Sequence, residues 1–305
     1  MKKKIVCLSL IMSMILMAAM PQAASATEVS EVGDEVVITQ EDKPYLALGA
    51  DLTADEQHTV LELMGIEVQD FDQYAVTYVN NSEEHEYLDA YMPAEKIGTR
   101  ALSSVFICLE DEGSGINIST YNINYCTVGM YKNALATAGV TDASIIVAGP
   151  FPLSGTAALV GTFKAYEELT GESLDESVVD AAMNELVTTG ELEESIDGDA
   201  EDIEAMISDL KGRIARGELD TLEDISAAID EVAADYDIKL TEEDKEKLLD
   251  LLDKLKDLDL DWDGIADRAS EIAGEIGNAI ESSGFGDILR EFFAKIIEAI
   301  KSLFQ

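Results

Sequence analysis

The sequence predicts an α/β fold: a mixed sheet with flanking helices in the N-terminal domain, followed by an acidic, mostly α-helical C-terminal region. Three observations carry this expectation. Two continuous apolar runs, Val105-Phe106-Ile107-Cys108-Leu109 and Ser144-Ile145-Ile146-Val147-Ala148, have the length and β-branched content of strands covered on both faces. Segments with helix-capping residues and helical spacing stand between and after them. From Ser173 onward the apolar period stays near 3.6, with no further strand pattern.

Residues 97–171 read as a ββαβα unit. Between the two apolar runs, Gly115-Ile116-Asn117-Ile118-Ser119-Thr120 alternates in period two, and the phase shift at Tyr121-Asn122-Ile123 marks a bulge or bend. Asp111-Glu112-Gly113-Ser114-Gly115 supplies a hairpin turn that pairs Cys108 with a residue near 117 or 118. Thr127 caps a helix through Ala138, closed by Gly139, and the strand that follows returns parallel, as in a right-handed crossover. Ser154 stands as the N-cap of a helix reaching Leu169. Upstream, after a polar leader over 27–40, Tyr45-Leu46-Ala47-Leu48-Gly49 reads as a strand. Thr53 and Glu56 form a capping box for a helix that ends near Gly65 and presents Val60, Leu61 and Met64 on one face. Residues 74–79 give a second strand and residues 83–91 a short helix.

The runs IGTRALSS, GSGIN, NALATAGV and PFPLSGTAAL, together with LALGADLTADEQ and EEHEYL upstream, resemble the YpuA-like family of secreted Gram-positive bacterial proteins, a domain of unknown function. The resemblance covers roughly Ala47 to Gly171, and LTEEDKEKLLDLLDKLKDLDLDWD is similar to the helical tail of such proteins. It implies an extracytoplasmic location and a shared fold, and it carries over no catalytic residues.

Lys2-Lys3-Lys4, an apolar run from Ile5 to Met20 and the small residues Ala24-Ser25-Ala26 form a secretory signal peptide over 1–26, cleaved after Ala26. The mature chain then carries 17 basic and 63 acidic side chains. Such a surface repels phosphate backbones, so nucleic-acid binding is not expected. The charge divides the chain into an α/β domain over 27–171, an acidic helical region over 172–284 and a neutral amphipathic C-terminal helix over 285–305.

In the helical region Ser173 with Glu176 caps a first helix; Ile203, Met206, Ile207, Leu210 and Ile214 stripe a second; Leu222, Ile225, Ile229, Val232 and Ala233 stripe a third. Thr241 starts a fourth carrying Leu248, Leu249, Leu252 and Leu255, and Ile265, Ile272, Ile276 and Ile280 mark a fifth. The C-terminal helix sets Phe285, Ile288, Leu289, Phe292, Phe293, Ile296 and Ile297 on one stripe. That face either packs on the protein's own helices, self-associates or lies in a membrane interface as a peripheral contact.

Candidate chemistry is sparse. The histidines are two, His58 and His85, and neither has ligand spacing with a cysteine. Ser154-Gly155-Thr156, after Pro150-Phe151-Pro152, serves either as a cap behind a rigid turn or as a cradle for an anionic group. Arg100 is the only arginine between 27 and 171 and stands near Ser103 and Ser104; it either anchors a carboxylate internally or marks a ligand pocket. Asp259, Asp261 and Asp263 followed by Gly264 resemble the start of a calcium loop, but the closing bidentate position falls on Ser270. Calcium is therefore the one cofactor considered. Cys108 and Cys126 are either bridged or buried thiols. The function expected is a non-catalytic binding module at or outside the cell envelope, with an unidentified envelope or protein partner. The alternative is an extracytoplasmic hydrolase using a pocket with Ser154 and Arg100, for which a pocket joining these two to a carboxylate is the discriminating feature.

Overall fold

The computed structural model describes residues 31–269 other than 35, 37–43, 112, 141, 172, 197, 264, 267 and 268. The signal peptide, the helix marked by Ile272, Ile276 and Ile280, and the C-terminal helix lie outside the described residues. Among the described residues, six strands form one mixed sheet in the order β1-β5-β6-β4-β2-β3. They are β1 (Glu31–Gly33), β2 (Tyr45–Gly49), β3 (Ala75–Val79), β4 (Ser104–Leu109), β5 (Ile116–Ile123) and β6 (Ala143–Leu153). The helices up to Gly171 are α1 (Ala54–Leu63), α2 (Asn81–Leu88), α3 (Ala94–Ile97), α4 (Val128–Thr137) and α5 (Thr156–Thr170). Four more follow among the described residues: α6 (Glu176–Ser195), α7 (Ala200–Ala215), α8 (Leu222–Asp235) and α9 (Glu242–Lys256).

The expected hairpin between β4 and β5 does not form. β6 lies between them, antiparallel to β4 with Cys108 opposite Ser144, and parallel to β5. The reason lies in the apolar runs. β4 and β6 are both buried on two faces, so they take the centre side by side, and the half-polar β5 is displaced outward. The parallel return of β6 after α4 follows the crossover reading. Asn122, with φ 59°, produces the register shift between Tyr121 and Ile123.

Period two sorts the sheet into two packed faces. Leu46, Leu48, Phe106, Ile146 and Ala148 join Val60, Leu61 and Met64 of α1 in one cluster. Ala47, Val105, Ile107, Ile145 and Val147 join α4, α5 and α6 on the other face. α5 approaches closely because Gly161 has no side chain: a Cβ there would lie 2.9 Å from the Cβ of Ala47. The helix α6 packs into the sheet's core through Val179, Ala182, Met183 and Leu186. Its C-terminal end, at Leu192 and Ile196, enters a second cluster built by α7, α8 and α9. α6 is therefore buried along most of its length, as befits a helix shared by two clusters.

Several caps agree with the sequence and several do not. Thr53, Thr127 and Thr241 cap α1, α4 and α9 as expected. The N-cap of α6 is Asp175, whose carboxylate accepts from the Ser177 N–H at 2.8 Å, and not Ser173. Leu222 is exposed, because it occupies the first turn of α8 ahead of the buried stripe. Strand β1 falls within what reads as a polar leader. Its pairing with β5 is secured by Lys132, which forms a 2.7 Å ion pair with Asp34.

Cys108 and Cys126 are both buried, and neither is in a disulfide. Cys108 lies opposite Ser144 at the start of β6, whereas the Cys126 N–H donates to the Ser154 carbonyl just past its end. Ten strand residues at about 3.3 Å each separate these positions, far beyond the roughly 7 Å that a disulfide spans.

Candidate functional site

The functional side chains gather where β6 turns into α5. The turn is made by Gly155, which sits at the N-cap of α5 with φ 97°, so Ser154 is displaced from the capping position expected for it. A Cβ at Gly155 would stand 2.6 Å from the Tyr131 hydroxyl and 2.8 Å from the Ile123 Cγ2. That same hydroxyl donates to the Gly155 carbonyl at 2.6 Å, pinning the turn to α4. With no cap from its own turn, α5 takes one from a neighbouring segment. The Ala158 N–H donates to Ser103 Oγ at 2.9 Å, satisfying a first-turn donor. Ser104 serves a similar structural purpose: its Oγ accepts from the Gly49 N–H at 3.1 Å and donates to the Leu102 carbonyl.

Ser154 and Thr156 form a hydroxyl chain that ends on a buried carboxyl group. Thr156 Oγ1 donates to Glu84 Oε1 at 2.8 Å. Because a hydroxyl has one proton, Ser154 Oγ is the donor across the 3.0 Å separation from Thr156 Oγ1. Glu84 is 1% exposed and also accepts from Asn81 Nδ2. Burial pushes its carboxyl up to about 7. A carboxyl raised in this way favours folding while protonated. Its contribution is full below 4.5, its value in the unfolded chain, and is lost as pH climbs through about 7.

Above this chain lies a cleft of about 200 Å³ lined by Glu84, Lys96, Ile97, Arg100, Leu102, Ser103, Leu153 and Ser154. Arg100 and Ser154 are thus joined to a carboxyl group in one cleft. Arg100 also anchors a carboxylate: its guanidinium bonds Glu56 Oε2 and the Asp51 carbonyl, each at 2.7 Å. The Arg100 hydrogen bond, added to the Thr53 cap, pulls Glu56 down to about 2. Lys96 reaches both oxygens of Glu194 and lies 5.3 Å from the centre of the Tyr125 ring. The cationic rim is therefore held in place by acidic partners outside the cleft.

His85 takes no part in the hydroxyl chain. Its Nδ1 meets Asp89 at 2.6 Å and its Nε2 meets the Gly98 carbonyl at 3.1 Å. Both ring nitrogens face oxygen acceptors, and the Asp89 bond raises its pKa. His58 is exposed near Glu62. Among the described residues no group of three or more His, Cys, Asp or Glu side chains is placed to hold a metal. Asp259 and Asp261 line a separate cleft of about 250 Å³ with Leu174 and Tyr166, while Leu260 between them is buried beside Val178.

The DUF1002 family, described as a protein of unknown function, matches residues 48–272. The chain belongs to this family. It is 38% identical over 295 residues to the uncharacterized protein YpuA of Bacillus subtilis (strain 168), a match covering 95% of this chain and 96% of that one. No solved structure matches. The resemblance read from the sequence is thus established, and the DUF1002 match runs well past Gly171, through α6 to α9.

Within the DUF1002 segment, sequence reasoning found Arg100, Ser103, Ser154 and Thr156 but missed Glu84. A signal was present. Glu84 stands three residues after Asn81 and four before the buried Leu88, which places it on the inward face of α2. A short helix with three acidic residues hides that one of them points inward.

Proposed function

We propose that this DUF1002 protein is a secreted or cell-envelope-associated binding module and that the cleft between Arg100, Lys96 and Ser154 is its ligand seat. The observation that carries this reading is the convergence of two cations, a serine hydroxyl and a buried carboxyl group on one concave surface. The leader over 1–26 and the excess of 63 acidic over 20 basic residues support an extracytoplasmic setting without a nucleic-acid partner. Among the described residues no helix is long and apolar enough to cross a membrane. The amphipathic segment over 285–305 supplies a peripheral membrane or self-association contact in this reading.

At the liquid volume of about 30 Å³ per water, a cleft of about 200 Å³ has room for roughly seven waters, so it admits a small polar group. Propionate is a suitable probe: a carboxylate for the cationic rim, with two carbons for Ile97, Leu102 and Leu153. Calorimetric titration of the mature protein with propionate should show saturable binding that Arg100→Ala weakens at least fivefold, with the melting temperature little changed because the Arg100–Glu56 pair is exposed. Equal binding by wild type and variant, or no binding by either, contradicts the ligand seat. A culture-supernatant protein that retains residues 1–26 contradicts secretion.

A further inference from the structure

We infer that Ser154 is an acyl-transfer nucleophile, with Thr156 passing its proton to Glu84, and that the cleft accepts the acyl part of a short-chain carboxylic ester. The inference rests on the reading of the cleft as a ligand seat and adds a reaction to it. Three arrangements support it together. Ser154 stands between the end of a strand and the start of a helix, on a turn whose tightness depends on the positive φ of Gly155. Such a strand–nucleophile–helix turn exposes a hydroxyl above a sheet. The hydroxyl already donates along a directed chain, Ser154 to Thr156 to Glu84, over 3.0 and 2.8 Å. The chain ends on a carboxyl group that is both buried and able to change its protonation near neutral pH.

The first turn of α5 adds the electrophilic part. A helix start leaves its first N–H groups short of intrahelical acceptors, and here the Ala158 N–H is shared between Ser103 Oγ and the Gly155 carbonyl. In this proposal the N–H groups of Gly155 and Thr156, next in sequence to Ser154 in that same turn, serve as the donors for the oxyanion. Ile97 and Leu153 offer apolar contact for an acyl chain of two or three carbons, and the small volume leaves the alcohol part outside.

Ser154 Oγ attacks the ester carbonyl carbon, forming a C–O bond. Its proton moves to Thr156 Oγ1 as the Thr156 proton moves to ionised Glu84. The tetrahedral oxyanion collapses, the bond to the alcohol oxygen breaks, and that oxygen takes the proton back from Glu84 through Thr156 alone, because Ser154 Oγ is now acylated. Water then attacks the acyl-serine carbonyl and passes a proton through Thr156 to Glu84; the C–O bond to Ser154 breaks, Ser154 Oγ takes that proton back through Thr156, and the carboxylic acid leaves.

The experiment uses the mature chain, an alkyl fluorophosphonate and p-nitrophenyl propionate. Intact-mass and peptide analysis should find one phosphonyl adduct on Ser154. Hydrolysis of the ester should rise with pH through about 7, following the carboxyl group of Glu84. Thr156→Ser, which keeps the hydroxyl, should retain labelling within about threefold. Thr156→Val, which removes it, should slow labelling at least a hundredfold, the usual scale for loss of a general base. Circular dichroism melts of the two variants separate this loss from unfolding. Absence of the Ser154 adduct, labelling unaffected by Thr156→Val in a folded protein, or an ester rate that follows only bulk hydroxide overturns the inference. Propionate binding that persists while the adduct is absent removes the nucleophile and leaves the ligand seat; loss of both removes the two together.

Discussion

Lys211→Met will destabilise the protein by about 3–5 kcal/mol, the cost of leaving a buried carboxylate without its counter-charge. Lys211 is 2% exposed and sits on α7, yet its ammonium makes contacts with two other helices. It donates to Glu185 Oε1 of α6 at 2.6 Å, to Thr137 Oγ1 of α4 at 2.8 Å and to the Asn133 carbonyl of α4 at 3.1 Å. All three ammonium protons are thus used. Thr137 in turn donates to the second oxygen of Glu185, so the fully buried carboxylate is satisfied on both sides. This network is the polar junction between the sheet's helical layer and α7. In urea unfolding the single variant should lose stability on the scale given, while Lys211→Met combined with Glu185→Met should regain much of it, because two apolar side chains leave no isolated charge. A single variant within 1 kcal/mol of wild type would show that Glu185 has water or another partner.

Gly155→Ala will be the second large effect, on the order of 2–6 kcal/mol. Two independent penalties act there. A residue with a Cβ at φ 97° is strained by roughly 1–3 kcal/mol, and a Cβ 2.6 Å from the Tyr131 hydroxyl forces a shift in a packed core at a cost of about 1–3 kcal/mol. Gly65→Ala is the control. It has φ 74° but no atom within 4 Å of an added Cβ, so it isolates the backbone penalty. Comparable losses at the two sites would remove the packing argument and leave only the conformational one.

Much of the fold was legible because local chemistry and global packing agree. Thr53 with Glu56 and Thr241 with Asp244 form reciprocal caps that need no tertiary information. Ile203, Met206, Ile207 and Leu210 are buried where their spacing puts them. The failure at β4 and β5 has a definite cause. Asp111 to Gly115 is good turn chemistry, but a turn states only that the chain reverses, not which strand becomes its neighbour. The competition for the sheet's centre was decided by the two-sided burial of β6, which arrives later in the chain.

The site was half legible for the same reason. Ser154 and Thr156 announce themselves beside prolines and a glycine. Glu84 does not, because its meaning depends on a contact with Thr156 across 72 positions of sequence. Ser103 was singled out as a ligand group beside Arg100, and its Oγ serves as the distant cap of α5. The buried pair of Lys211 and Glu185 was hidden among the charges of two helices that read as acidic surface.

The measurement that bears most directly on the site is a carbon-13 NMR titration of the Glu84 side-chain carboxyl in the mature protein. The account predicts a midpoint near neutral pH, following the burial that lifts this group to about 7, and a further rise in Thr156→Val, because the lost hydroxyl had favoured the ionised form. A midpoint near 4.5, the ordinary value for glutamate, unchanged in the variant, would place Glu84 in water and dissolve the chain from Ser154 through Thr156 on which the site depends.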